Sequence, residues 1–180
     1  MKRGFMFLGT LLVMTEMHAQ NASKKALIVY FSWSGHTQII AQDIQKATDA
    51  DIFRLETVKN YPKQYRECTN AAKQELSNNE RPVLKSVPDF SKYNTVYLGW
   101  PCWWGTMPMA FFTLLEKNNL AGKTIIPFTT HEGSGFGKSL QDLKKLCPDA
   151  VILEGFSKNG NSVNDANEDV LKWLKKTGQI

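Results

Sequence analysis

The residues best equipped for chemistry lie in three loops. The first is Trp100-Pro101-Cys102-Trp103-Trp104-Gly105, which follows the apolar run Thr95–Gly99. Such a run reads as a buried strand of a parallel sheet. Three indoles within five residues are too bulky for one loop to bury together. Flat aromatic faces beyond the carboxyl end of a strand suit the stacking of a flat ring, because open α/β sheets bind ligands there. The plainer alternative is a hydrophobic cap on the sheet.

The second loop is Ser32-Trp33-Ser34-Gly35-His36-Thr37. It lies between the strand-like run Ala26–Phe31 and a helical pattern at Ile39, Ile40, Ala41, Ile44 and Ala47. Hydroxyls and a glycine at such a junction suit a phosphate. The first N–H groups of the helix are unpaired, its dipole favours an anion, and the hydroxyls add donors without bulk. Gly35 lets the backbone turn closely around the group. The loop contains no Lys or Arg, so it is not a P-loop, and it lacks the G-x-G-x-x-G pattern of dinucleotide sites. Ordinary N-capping by Ser or Thr is the competing reading.

The third loop, Thr129-Thr130-His131-Glu132-Gly133-Ser134-Gly135-Phe136-Gly137, follows the run Thr124–Phe128. Its three glycines admit close approach of a ligand to the backbone; a flexible linker is the alternative. Three loops of this kind, each between a strand and a helix, reinforce one another.

The elements that position these loops alternate along the chain. Strand patterns fall at 26–31, 51–56, 95–100, 124–129 and 150–155. Helical patterns fall at 37–48, 64–77, 108–117, 138–146 and 163–176. This alternation predicts a parallel, doubly wound sheet in one domain. The final helix is expected to start on a cap-like pair, Ser162 and Asp165. Its apolar face at Val163, Ala166, Val170, Trp173 and Leu174 is assigned to the core. The stretch 78–92 reads as a long connection.

Composition is that of an ordinary globular protein, 42% hydrophobic and 22% charged. Met1-Lys2-Arg3, the apolar run Phe5–Met14 and Met17-His18-Ala19-Gln20 together read as a secretory signal peptide, cleaved after Ala19. The folded domain is then expected over 24–180, exported, and periplasmic in a Gram-negative source. No Cys lies at the junction, so a lipoprotein anchor is not expected. Cys68, Cys102 and Cys147 are an odd set without a C-x-x-C pair, so at least one thiol is free or intermolecular. The net charge of +5 falls to about +4 when Lys2, Arg3 and Glu16 are removed. No basic stripe interleaved with aromatics suggests nucleic acid. Three histidines without ligand-like spacing suggest no metal site. No acid–base triad is visible, since His131 and Glu132, as neighbours in a Gly-rich loop, rarely face each other.

The chain resembles the flavodoxin-like proteins, in particular a bacterial flavodoxin subfamily. The matching pieces are Tyr30–Thr37, Tyr61–Tyr65, Arg81-Pro82, Gly99–Pro108, Gly122–Phe128 and Thr130–Gly135. The most specific are Trp-Trp-Gly-Thr-Met-Pro and Thr-His-x-Gly-Ser-Gly. The resemblance implies a five-stranded sheet of order 2-1-3-4-5 with helices on both faces, and one FMN at the carboxyl ends of the strands. It implies that Ser32, Ser34, Gly35, His36 and Thr37, with Trp33 at the same turn, hold the phosphate. It places Pro101, Cys102, Trp103, Trp104 and Gly105 beside the isoalloxazine. It places Thr130, His131, Glu132, Gly133, Ser134 and Gly135 over its other side. Tyr61 and Tyr65, four apart, fall near the flavin edge or in packing.

Three residues depart from the family pattern. His36 stands where Asn is usual and Ser34 where Thr is usual. An imidazolium at His36 would add charge beside the phosphate at low pH, so FMN affinity is expected to depend weakly on pH between 5 and 7. Glu132 replaces a small residue; it is expected to point to solvent and do little, the alternative being a carboxylate aimed at the flavin N1 or N5, where it would disfavour the anionic reduced form. The basic balance also differs from the acidic electron-carrier flavodoxins.

FMN would supply the redox chemistry, and stacked indoles would disfavour its doubly reduced anion more than its neutral one-electron form. Three readings follow. One is an electron carrier between redox proteins, whose basic surface suits an acidic partner. The second is an FMN-dependent, quinone-reductase-like oxidoreductase with a small quinone or nicotinamide substrate. The third is a non-catalytic FMN-binding module.

Overall fold

The computed structural model describes residues 25–180. The expected signal segment, His18 and the 1–19 boundary lie outside the described residues. The strands are β1 (Leu27–Tyr30), β2 (Asp51–Arg54), β3 (Thr95–Pro101), β4 (Thr124–His131), β5 (Val151–Ile152) and β6 (Phe156–Asn159). The helices are α1 (His36–Thr48), α2 (Tyr65–Ser77), α3 (Met109–Lys117), α4 (Ser139–Leu146) and α5 (Asn167–Lys176). The sheet is parallel throughout, in the order β2-β1-β3-β4-β5, with β6 also on β4. This is the flavodoxin-like order expected above.

Alternation along the strands builds two cores. Leu27 and Val29 of β1 and Val96, Leu98 and Trp100 of β3 face one side, against Ala110, Phe111 and Leu114 of α3 and Leu143 of α4. Ile28, Tyr30, Tyr97, Ile126 and Phe128 face the other, against Ile40 and Ile44 of α1 and Val170, Trp173 and Leu174 of α5. Strands covered on both faces need apolar residues at every position, which is why their sequences read as continuous runs.

The fifth strand departs from expectation. The stretch expected as one strand over 150–155 is two short pieces, β5 and β6, both paired to β4. The break falls opposite Pro127. Ile125 gives its carbonyl to the N–H of Leu153, and strand alternation turns Pro127 to that same side. Proline has no N–H to offer there, so the ladder is interrupted.

The last helix starts later than expected. Gly160–Asp165 forms 3₁₀ turns, and α5 begins at Asn167. Ser162 and Asp165 therefore do not cap it: the N-cap position is Ala166, without a side-chain bond, and the Ser162 hydroxyl donates to the Asn159 carbonyl at 3.2 Å. The apolar stripe is nevertheless buried from Val163 to Leu174, because the 3₁₀ turn directs Val163 to the same core. No helix among the described residues is long and apolar enough to cross a membrane.

Candidate functional site

The carboxyl ends of β1, β3 and β4 bring the three loops together around a cleft of about 970 Å³. Two smaller clefts, about 500 Å³ each, lie around Leu120 and Cys147 and around Lys25 and Thr95, away from the indoles. No group of His, Cys, Asp and Glu among the described residues is placed to hold a metal ion.

The first loop ends in Gly35, left-handed at φ 94° and at the N-cap of α1. A Cβ added there would meet nothing within 4 Å, so this turn faces open space. The first N–H groups of α1, at His36 and Thr37, make no backbone bond among the described residues, as at any helix start. Ser32 is buried, and its Oγ accepts the Gly35 N–H at 3.1 Å. Thr37 is buried too, its hydroxyl 2.8 Å from that of Thr130. These two hydroxyls lock the loops rather than line the cleft. Trp33, Ser34 and His36 do line it. Trp33 is fixed by a 2.9 Å bond from its indole N–H to the Pro62 carbonyl.

The three tryptophans have three different fates. Trp100 belongs to β3 and is fully buried, edge-on to Phe111 and Phe136, its indole N–H donating to Ser139 Oγ at 3.3 Å. It is a core residue, not part of the loop. Trp103 is half-buried, edge-on to Phe31 at 5.3 Å and Tyr61 at 5.0 Å. Trp104 is 48% exposed. The cause is a two-residue hairpin: Trp103 and Thr106 exchange backbone bonds of 2.8 and 3.0 Å, and Trp104 and Gly105 between them have φ of 51° and 78°. Positive φ at both central positions is the primed turn, which swings Trp104 outward. Its indole N–H donates to the Thr69 carbonyl at 2.8 Å, and the Lys73 ammonium lies 4.8 Å from the ring centre. Pro101, Cys102 and Gly105 complete this wall, with the Cys102 N–H bound to the Thr130 carbonyl at 2.8 Å.

From the third loop, Thr130, His131, Glu132 and Ser134 line the cleft, while Gly133 and Gly135 shape the turn behind them. His131 Nδ1 accepts the Gly133 N–H at 2.9 Å. Glu132 is exposed, but its carboxylate is not left to solvent alone. One oxygen accepts from Asn161 at 3.4 Å, and the other would stand 2.4 Å from a Cβ on Gly160, where His36 Nδ1 would stand at 2.5 Å. The carboxylate therefore sits on the His36 side of the cleft.

Tyr65, offered above for the flavin edge or for packing, lines the cleft, and the structure adds residues that the sequence did not single out: Thr69 and Ala72 extend the same α2 wall, and Asn161 closes the far side. Their spacing along one helical face was the available signal. Tyr61 is a packing residue instead: its hydroxyl donates to Glu75 at 2.7 Å inside the core edge. The first loop contains no cation, yet one reaches it. Arg54 pairs in register with Tyr30, and its guanidinium donates to the Ser32 carbonyl at 3.1 Å. Only strand pairing could reveal that neighbour. All three cysteines are free, and burial pushes the thiols of Cys68 and Cys147 up to about 11, which keeps them protonated at neutral pH.

A flavodoxin family model matches residues 25–177, and the chain belongs to the flavodoxin family. FMN is the cofactor of that family. No curated protein matches the sequence. Among solved structures, a flavoprotein candidate from Bacteroides uniformis is 30% identical, with a TM-score of 0.75 over 85% of this chain and 99% of that one. A second, from Bacteroides eggerthii, is 28% identical, with a TM-score of 0.73 over 86% and 98%. A flavoprotein from Lactobacillus acidophilus, solved in complex with FMN, is 20% identical, with a TM-score of 0.64 over 79% and 97%; at that identity the likeness is one of fold.

Proposed function

We propose that this protein carries electrons through FMN held in the 970 Å³ cleft. The observation that carries the reading is the junction of β1 and α1, where Gly35 turns toward open space beside unpaired helix N–H groups, at the edge of a cleft walled by Trp103 and Trp104. In this reading Ser34, His36 and the N–H groups at the start of α1 hold the phosphate, and Arg54 adds positive charge behind the loop. Trp103 and Trp104 flank the ring on one side, and His131, Glu132 and Ser134 flank the other. Bound FMN supplies the redox chemistry. The chain would shield one side of it: half-buried Trp103, with Thr130 and Pro101, would limit water at the ring and so disfavour charge there, while the Thr37–Thr130 bond holds the first and third loops in place.

One observation favours a second reading. The cleft lies at the upper end of the roughly 300–1,000 Å³ typical of ligand pockets. That size leaves room for a quinone or nicotinamide on the ring, as in an FMN-dependent oxidoreductase. The experiment is titration of the purified protein with FMN, then stepwise anaerobic reduction followed in the visible spectrum. A long-wavelength band that builds and decays supports the carrier; direct bleaching supports two-electron chemistry. Failure to take up FMN refutes both. The leader-like composition of residues 1–19 supports a further proposal, export to the periplasm if the source is Gram-negative, which fractionation of the native host tests directly.

A further inference from the structure

We infer that the α2 wall of the cleft is the docking face for an acidic redox protein, with Trp104 and Tyr65 as its aromatic anchors. The inference rests on the electron-carrier reading above. Its basis is where the charge lies. Residues 25–180 contain nineteen Lys and Arg against sixteen Asp and Glu, a surplus of three. The segment 59–73 contains Lys59, Lys63, Arg66 and Lys73 against Glu67, which is the same surplus of three. The rest of the described chain balances at fifteen against fifteen.

This segment leads into α2 and runs along the cleft. None of its four cations has an ion-pair partner among the described residues, unlike Lys25, Arg81, Lys158 and Lys176, which do. Glu75, the other acid of α2, lowers the surplus to two when the count runs to the end of the helix, and it attracts Lys59. Glu75 is tied to the Tyr61 hydroxyl and partly withdrawn from water, and burial raises its pKa. Glu132 lies across the cleft. One wall is thus positive and the opposite rim negative, which orients an approaching partner as well as attracting it.

The anchors stand inside this field. Tyr65 is 68% exposed and Trp104 48%. Trp104 is held by its tight turn, by the Thr69 carbonyl and by Lys73, so little side-chain entropy is lost when a partner covers it. The same ring lines the cleft, so contact on its outer edge reaches the cofactor's surroundings through one side chain.

The test uses the FMN-loaded protein, reduced anaerobically and mixed by stopped flow with two one-electron acceptors of opposite charge, acidic cytochrome b5 and basic cytochrome c. Two equivalents of either take the two electrons of the reduced cofactor, and its protons pass to solvent. The rate with cytochrome b5 should fall on the order of tenfold between low salt and about 0.5 M, while that with cytochrome c stays level or rises. The double variant Lys63→Glu and Arg66→Glu turns the segment's surplus of three into a deficit of one. It should bind FMN as the wild type does and exchange the two salt slopes. Equal slopes for both cytochromes, or slopes the variant leaves unchanged, overturn the inference. Reduction of the neutral quinone menadione far faster than either cytochrome, without a salt slope, overturns it as well. Failure to bind FMN would instead refute the reading beneath it, and the initial titration separates the two.

Discussion

Gly137 fastens the third loop to the tryptophan turn, and replacing it should loosen both. Its φ is +53°, and a Cβ there would stand 2.3 Å from the Gly105 carbonyl oxygen and 2.8 Å from the carbonyl carbon. That carbonyl also accepts the Lys138 N–H at 2.8 Å. The obstacle is backbone on both sides, so no side chain can swing away. Gly135 is the internal control, with φ +57° and nothing within 4 Å of an added Cβ. Alanine at either site meets left-handed strain of about 1–2 kcal/mol, offset by roughly 0.4–1 kcal/mol from a stiffer unfolded chain. Gly135→Ala should therefore cost about 1 kcal/mol. Gly137→Ala adds an overpacking cost of about 1–3 kcal/mol and pushes Gly105 back, carrying Trp103 and Trp104 with it. Urea unfolding of the FMN-free variants measures the first effect. Quenching of FMN fluorescence on binding measures the second, expected as roughly a tenfold loss for Gly137→Ala, equivalent to about 1.4 kcal/mol. Equal destabilisation of the two variants would refute the steric reasoning, and unchanged FMN affinity in Gly137→Ala would refute the link to the tryptophan turn.

Three further outcomes are expected. Arg54→Gln should weaken FMN about two- to fivefold, as suits an exposed charge worth roughly 0.5–1 kcal/mol, and leave riboflavin binding unchanged; equal losses for both ligands would mean a structural role. Glu75→Gln should become more stabilising relative to wild type as pH rises. Burial raises the folded-state pKa of Glu75, so its favourable contribution is present at low pH and is lost as pH rises through that raised value. Thermal unfolding of both proteins from pH 4 to 7 gives the sign, and a gap that narrows with pH contradicts it. His36→Asn should change FMN affinity, read by fluorescence quenching, while leaving riboflavin binding as it was, and unchanged FMN affinity removes the imidazole from the phosphate site.

Much of the site was readable because parallel sheets make it so. The inner strands β1, β3 and β4 are mostly apolar, unlike β2 and β6, and their carboxyl ends are where loops with unusual composition stand out, as at Ser32–Thr37 and Thr130–Gly135. Reading failed where a local pattern had two outcomes. Trp100, Trp103 and Trp104 look alike in sequence, yet one lies in a strand, one packs on Phe31 and Tyr61, and one is turned outward by a hairpin. Ser162 and Asp165 resemble a helix cap, but the chain must first complete β6 and its 3₁₀ turn. Pro127 gave a signal that could have placed the break in the fifth strand, since it sits where a ladder donor is needed.

The order of strands and helices, the two apolar cores and the loops of the cleft are local properties, written in hydrophobic period and in glycine and hydroxyl placement, so the sequence alone determined them. Arg54 beside Ser32, the choice of Tyr65 over Tyr61 for the cleft with Thr69 and Ala72 beside it, and Glu132 beside His36 were decided only by the tertiary structure. Each joins residues from separate elements. Their proximity follows from strand register and helix docking, which the whole chain settles at once and no single segment contains.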